Sequence, residues 1–318
     1  MKTISIILAT VSLLLLLILS GRYVSDSWIF YTTSSFQVQA AAGATFIAIL
    51  AFLLHRNWVF GLMVVAGAAI AVHGHMMLGE FRQAPLRDVA APATLKFLTF
   101  NIMGDNGPGG PKLADYIINS GADVVFIQES APIGPFIDKI KLTYPYRLGC
   151  GAQTVTCDQS LWSKRPLVRG EVITASPIYR DRLMLASVDF DGKLINFANV
   201  HLTKPYFDNF HEIELGKIRQ KLQAYDGPLV LAGDFNASIL LNDVRHFLKI
   251  TDLHTADSEP NTWPVALPQI GMAIDHVFVR DNLRIKSIAR TPSAIGSNHF
   301  GLISEIVWED AGASAQPQ

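Results

Sequence analysis

Asp234 and Asn236 stand two positions apart at the end of an apolar run, residues 228–232, with Gly233 between run and carboxylate. Residues i and i+2 of an extended chain point to one side. The run therefore reads as a buried strand that ends by presenting a carboxylate and an amide together. The carboxylate can hold a metal or orient a water; the amide can donate to a phosphate oxygen without adding negative charge. That combination suits hydrolysis of an anionic ester, although Asp and Asn are also ordinary turn residues. Their company decides between the two. Asn101, Glu129, His201, Asp275 with His276, and Asn298 with His299 also lie at the ends of apolar runs. Strand ends on one edge of a sheet converge, and so many polar ends together are improbable as coincidence.

The elements that must position these residues fill the chain from about 94 to 307. Alternation and β-rich composition predict strands over 95–100, 123–127, 159–163, 167–174, 182–190, 194–202, 228–232, 274–279, 283–290 and 300–307. Asp191-Gly192 is a hairpin signal and Asp281-Asn282 a turn. Helical patterning covers 111–120, 132–142, 210–225 and 239–248. Strands outnumber helices and many are hairpin neighbours. This predicts α/β or α+β architecture, with sheets packed face to face and helices outside. The small polar tail over 310–318 reads as disordered.

The first quarter is of another kind. Residues 4–20 carry no charge and are mostly Leu and Ile, approaching the roughly 20 residues that cross a bilayer. A signal peptide is the alternative, but no clear small-x-small cleavage site follows. Two further apolar segments, 37–54 and 58–78, favour a membrane anchor of three transmembrane helices over 1–81. Trp28, Tyr31 and Trp58 suit the interface. Lys2 and Arg56 fall on one side and Arg22, Arg82 and Arg87 on the other, so positive charge does not fix the orientation. His73-Gly74-His75 reads as interfacial, since nothing nearby completes a coordination shell. The Pro- and Ala-rich stretch 82–93 reads as a linker.

The 318 residues allow one large domain plus this module. The hydrophobic share is 50% and the charged share 17%, too apolar for an ordinary soluble enzyme. Lys and Arg (26) nearly balance Asp and Glu (27), so there is no global basic signature of nucleic-acid binding. Cys150 and Cys157 either bridge the base of a loop or are two small buried thiols. A bridge would mean an oxidising compartment and a catalytic domain on the periplasmic or other extracytoplasmic face of a multi-pass membrane protein.

Six stretches carry a family resemblance: LTFNI (98–102), FIQE (126–129), NVHL (199–202), GDFN (233–236), IDHVFV (274–279) and SNHFGL (297–302). In order and coverage they resemble the endonuclease/exonuclease/phosphatase superfamily, the DNase I-like fold, across 94–309. The resemblance implies a four-layer sandwich of two packed mixed β-sheets flanked by helices. It also implies hydrolysis of phosphoester bonds with Mg²⁺ (or Mn²⁺). Glu129 would be the main metal ligand, a hard carboxylate suited to Mg²⁺, with Asn101 in support. Asp234 would orient or deprotonate the attacking water, and Asn236 would donate to the phosphate. His299 would serve as acid/base or phosphate ligand, with Asp275 fixing its tautomer. His201 would donate to the phosphate or leaving oxygen. Asn298 stands where the family usually carries Asp; with Lys204 and Tyr206 it is read as substrate-binding. Residues 158–166 occupy the place of a family strand-and-turn that often borders the site. Arg180-Asp181-Arg182 is either an anion-binding group or a solvated turn, and reads as the turn.

The expectation is a membrane-anchored, metal-dependent phosphoesterase. Its substrate would be nucleic acid or phospholipid, its other partner the bilayer, with no protein partner. The alternative, suggested by Asn298, is a catalytically impaired DNase I-like module that binds a phosphorylated ligand.

Overall fold

The computed structural model describes residues 1–83 and 93–308, which form two compact units. Most of the expected linker and the whole of the expected tail lie outside the described residues.

The first unit comprises Met1–Glu80 together with two excursions of the later chain, Pro205–Asn209 and Ser238–Arg245. Its helices are α1 (Lys2–Ser20), the short α2 (Tyr31–Ser35), α3 (Gln37–Leu54) and α4 (Trp58–Leu78). Three helical segments, beginning at Lys2, Gln37 and Trp58, are long and apolar enough to cross a membrane. Helices α1 and α3 meet through small side chains. Ser5, Ala9 and Ser12 are buried on one, and Ala44, Ala48 and Ala51 on the other. Ser5 Oγ donates to Ala51 O at 3.0 Å and Ser12 Oγ to Ala44 O at 2.8 Å. Helices this apolar would gain nothing from packing by hydrophobicity alone in lipid, where close backbone approach and hydroxyl–carbonyl bonds such as these would hold them together. Beyond the end of α1, Arg22 is buried and donates to Gln37 Oε1, to Leu240 O and to Asn242 Oδ1. Arg245 pairs with Glu80, just past α4. These bonds fasten the second excursion to the ends of the apolar helices.

The second unit contains all eleven described strands: β1 (Ala93–Asn101), β2 (Val124–Gln128), β3 (Tyr146–Gly149), β4 (Gln159–Ser163), β5 (Leu167–Ile173), β6 (Leu183–Phe190), β7 (Lys193–His201), β8 (Leu229–Asp234), β9 (Asp275–Arg280), β10 (Leu283–Arg290) and β11 (Leu302–Trp308). They form a six-stranded sheet, β10-β11-β1-β2-β4-β3, and a five-stranded sheet, β5-β6-β7-β8-β9. The pairs β1–β2 and β7–β8 are parallel and the others antiparallel, so both sheets are mixed. Helices α5 (Gly110–Asn119), α6 (Ile137–Lys141), α7 (Phe210–Leu222) and α8 (Asn242–Thr251) complete the DNase I-like sandwich.

Side chains alternate faces along a strand, and this divides the core. Leu95, Phe97, Val124 and Phe126 join Phe197, Val230, Ala232 and Val277 in the space between the sheets. Their neighbours Leu98, Phe100, Val125 and Ile127 join Leu113 and Ile117 of α5 in an outer layer. Strand β3 is not expected from the sequence, and two helices differ from the expectation. The helix expected over 132–142 opens as a 3₁₀ segment, Ala131–Phe136, because Pro132 and Pro135 remove backbone donors. Helix α8 starts at Asn242 rather than near 239, since Ser238 accepts from Leu241 N at 3.0 Å and closes a turn first.

Candidate active site

The strands that fill the inter-sheet core also build the site, by period two. The inward face of β1 runs Leu95, Phe97, Thr99, Asn101; that of β7 runs Ile195, Phe197, Asn199, His201. Strand β8 contributes Val230, Ala232, Asp234, and β9, running the other way, Val279, Val277, Asp275. Register places His201 opposite Asp234, and Asp234 opposite Asp275. An intermediate polar step separates core from site. Gln128 Nε2 donates to Thr99 Oγ1 and Asn199 Oδ1, and Asn199 Nδ2 to Ser160 O.

At the end of that space the two sheets are joined by hydrogen bonds. Asn101 Nδ2 donates to Glu129 Oε1 at 3.0 Å and across to Asp234 Oδ2 at 2.8 Å. Gly104 N donates to Glu129 Oε2 at 2.6 Å. His201 Nε2 lies 3.7 Å from Asp234 Oδ2 and 3.9 Å from Glu129 Oε1. His299 Nδ1–H donates to Asp275 Oδ2 at 2.8 Å, and its Nε2 lies 4.0 Å from Asp234 Oδ2. Ser297 Oγ donates to Asn101 O and accepts from His299 N, tying the His299 turn to the end of β1. Burial alone would lower the His299 pKa. Asp275 and Asp234, with a smaller contribution from Glu129, outweigh it and raise the imidazole to about 9, so at neutral pH it is a proton donor.

Gly233 makes this crowding possible. Its φ is +139°, and a Cβ there would lie 2.0 Å from Val200 O on the neighbouring strand. The following turn is hydrogen-bonded throughout. Asn236 N donates to Asp234 Oδ1, Asn236 Nδ2 to Leu202 O, and Phe235 N to Ile274 O.

The donor set fits a divalent cation. Asp234 and Asp275 each offer a carboxylate oxygen, and these lie within 4.8 Å of each other and of a His299 nitrogen; His299, protonated and paired with Asp275, leaves ligation to the carboxylates. Asp275 Oδ1 is buried with no hydrogen-bond partner, which a buried carboxylate oxygen does not tolerate without compensation. Glu129 adds a further carboxylate, its side chain 33% exposed.

One wall of the site was only partly marked in the sequence, by the stretch 158–166. Arg182, read there as part of a solvated turn, makes a two-pronged bond to Asp158 at 2.7 and 3.1 Å. Asp158 Oδ2 lies 3.8 Å from His201 Nδ1. Burial alone would raise the Asp158 carboxyl, but His201 and Arg182 hold it down at about 2. The neighbouring Cys157 is disulfide-bonded to Cys150. Of the remaining candidates, Lys204 and Asn298 are exposed, and Tyr206 belongs to the Pro205–Asn209 excursion of the first unit.

Comparison with known proteins agrees with the fold. Residues 98–299, more than half of the chain, match the Endonuclease/Exonuclease/phosphatase family. Among solved structures, an endonuclease/exonuclease/phosphatase from Bacteroides vulgatus is 18% identical, with a TM-score of 0.57 over 68% of this chain and 100% of that one. A humanized D. rerio TDP2 is 17% identical, with a TM-score of 0.55 over 67% of this chain and 98% of the other. Sphingomyelinase C from Streptomyces griseocarneus is 18% identical, with a TM-score of 0.50 over 67% and 99%. At these identities the likeness establishes the fold. A probable septum site-determining protein MinC of Buchnera aphidicola subsp. Baizongia pistaciae is 25% identical over 167 residues, 49% of this chain and 67% of that protein; so low an identity carries no function across.

Proposed function

We propose that this chain, which belongs to the endonuclease/exonuclease/phosphatase family, is a membrane-anchored, divalent-metal-dependent phosphoesterase that cleaves its ester by attack of water. The observation that carries the reading is the linkage Glu129–Asn101–Asp234 beside Asp275–His299, at the one end of the inter-sheet core where buried polar groups replace apolar ones.

Glu129, Asp234 and Asp275, with Asn101 in support, would hold the cation. Mg²⁺ or Mn²⁺ bound there supplies charge stabilisation at the phosphoryl oxygens. Asp234 orients the attacking water and accepts its proton, its own position fixed by Asn101 and by Asn236 N. Asn236 donates to a phosphoryl oxygen as charge builds in the transition state. His299, protonated through its pairing with Asp275, delivers a proton to the leaving oxygen. His201, held between Asp158 and the two carboxylates, donates to the phosphate. Lys204 and Asn298, both exposed, would contact the rest of the substrate.

A phosphodiester carried by a lipid suits the chain better than nucleic acid. Three apolar helices precede the domain. Loops that lead into the site-end termini of β4, β6 and β9 carry exposed apolar residues: Val155 (101%), Ile178 (55%) and Ile270 (64%). The Cys150–Cys157 disulfide supports a catalytic unit outside the cytoplasm.

The test uses the full chain in detergent. Hydrolysis of bis(p-nitrophenyl) phosphate, plasmid DNA and phospholipid vesicles is measured with Mg²⁺ and with chelator, beside Asp234→Ala and His299→Ala. Metal-dependent turnover lost in both variants is the expected result. Mg²⁺ binding without turnover on any substrate would overturn the hydrolase reading in favour of a phosphate-binding module.

A further inference from the structure

Asn236 sits at φ +50°, in the left-handed region that asparagine enters more readily than most residues but that still needs local support. Beside the bonds of Asn236 N to Asp234 Oδ1 and of Asn236 Nδ2 to Leu202 O, its support comes from two buried histidines, one on each side. His211 Nε2–H donates to Phe235 O at 2.9 Å, and His276 Nε2–H donates to Ala237 O at 2.9 Å. The two carbonyls flanking Asn236 are thus both held by imidazoles. The rings come from separate elements, His211 from the start of α7 and His276 from β9, and they are 1% and 0% exposed. His276 is itself fixed: its Nδ1–H donates to Glu259 Oε1 at 2.9 Å, and its ring lies stacked on Phe278 with centroids 5.1 Å apart. A carbonyl and a carboxylate can only accept, so this ring donates from both nitrogens.

The reaction proposed above uses neither histidine. We propose that His211 and His276, with Glu259 behind the latter, are positioning residues. Clamping the carbonyls on either side, they hold the left-handed turn and aim the Asn236 amide at the phosphoryl group. The inference rests on the phosphoesterase reading for its catalytic consequence, and on the hydrogen bonds alone for its structural one. Preorganised donors are effective because they need not reorient during the reaction, so a loosened turn should cost turnover more than substrate binding.

The experiment replaces each histidine by Leu, which keeps bulk without a donor, and by Gln, which keeps a donor. His211→Leu, His276→Leu, His211→Gln and His276→Gln are each made in the full chain and again with Asn236→Ala. Both kcat and KM are measured on bis(p-nitrophenyl) phosphate with Mg²⁺, and amide hydrogen exchange is followed by mass spectrometry over the peptide spanning 234–238. The expected result is a kcat loss of about 10–100-fold in each Leu variant with KM changed less than about 3-fold. Gln restores kcat to within about 5-fold of the starting protein, and with Asn236→Ala present the Leu substitutions cost less than about 2-fold. Exchange of the turn amides quickens by about 10-fold in the Leu variants and little in the Gln variants.

An equal cost with and without Asn236 would overturn the proposal, as would unchanged kcat or unchanged exchange in the Leu variants. If the Leu variants do not fold, the Gln variants decide: native exchange with kcat lost as fully as in Asn236→Ala overturns it, and near-native values in both support it. If the unsubstituted chain shows no turnover, the phosphoesterase reading falls by itself. The exchange rates then judge the clamp alone, faster exchange supporting it and unchanged exchange refuting it.

Discussion

The middle and the end of the inter-sheet space are made by the same strands and follow opposite rules. At the middle, Phe97 and Phe126 meet edge to face with centroids 4.8 Å apart, and Phe197 packs against both. Four residues further along the same faces, Asn101 and His201 stand in their place, across from Asp234. The middle stabilises the fold by removing apolar surface from water, about 25 cal/mol per Å². The end does the reverse: it keeps two carboxylates, Asp234 at 1% and Asp275 at 2% exposure, away from water. That is costly unless they are paired. Stability and chemistry are therefore separated by about 13 Å of strand, with the Thr99–Gln128–Asn199 step between them.

Substitutions should move one property and spare the other. The largest expected effect is at the polar end: Asp234→Asn should lower turnover by at least about 10³-fold, in the range seen when a transition-state donor or base is removed. Its denaturant midpoint should fall less than that of the core variant below, because Asn keeps the bulk and one of the two acceptor oxygens used by Asn101 Nδ2 and Asn236 N. Loss of folding cooperativity in Asp234→Asn would break the comparison. Next, Phe197→Ala should cost about 3–5 kcal/mol of stability through cavity formation, read from chemical denaturation. The kcat of the folded fraction should stay within about 3-fold.

Asp158→Asn lies between the two regimes. The Asp158 carboxyl is held at about 2, below the ordinary unfolded value of about 3.9. Its ion pair therefore contributes stability that is fully present above about pH 4 and lost as pH falls through about 2. Removing it should cost on the order of 1–2 kcal/mol at neutral pH and flatten the stability profile between about pH 2 and 4. An unchanged profile would show that Arg182 and His201 do not act on this group. The smallest effect is expected at exposed Asn298, where Asp should tighten Mg²⁺ binding by no more than about 5-fold through a solvent-screened charge. Titration calorimetry would read this with folding stability unaltered.

The division also explains what the sequence made legible. Alternation announced the strands, and the residues ending them were legible for the same reason: a side chain on the inward face stays there two positions later. Asn101, His201, Asp234 and Asp275 are all of that kind, and the structure brings them together with Glu129 and His299. What escaped has no periodic signal. The stretch that begins at Asp158 was legible as bordering the site, but its pairing with Arg182 depends on how two loops fold back. His211 looks like any polar residue at a helix start. His276 was visible beside Asp275, but alternation sends it to the opposite face, toward Glu259 and Ala237. Strand β3 was too short to stand out, and α8 was placed three residues early because Ser238–Leu241 is apolar enough to look helical.

Gly233 has a consequence for anyone surveying this protein by exhaustive mutation. It offers no functional group to a substrate, yet any side chain must occupy the space of Val200 O and adopt a backbone angle that L residues avoid. Every replacement there should push β7 from β8 at the point where His201 and Asp234 face one another. In a fitness map, position 233 would score as intolerant as the acid beside it, and a reader relying on tolerance alone would count it among the reacting groups. Abundance measured alongside activity would separate them: changes at Asp234 should leave protein levels high, and changes at Gly233 should lower both.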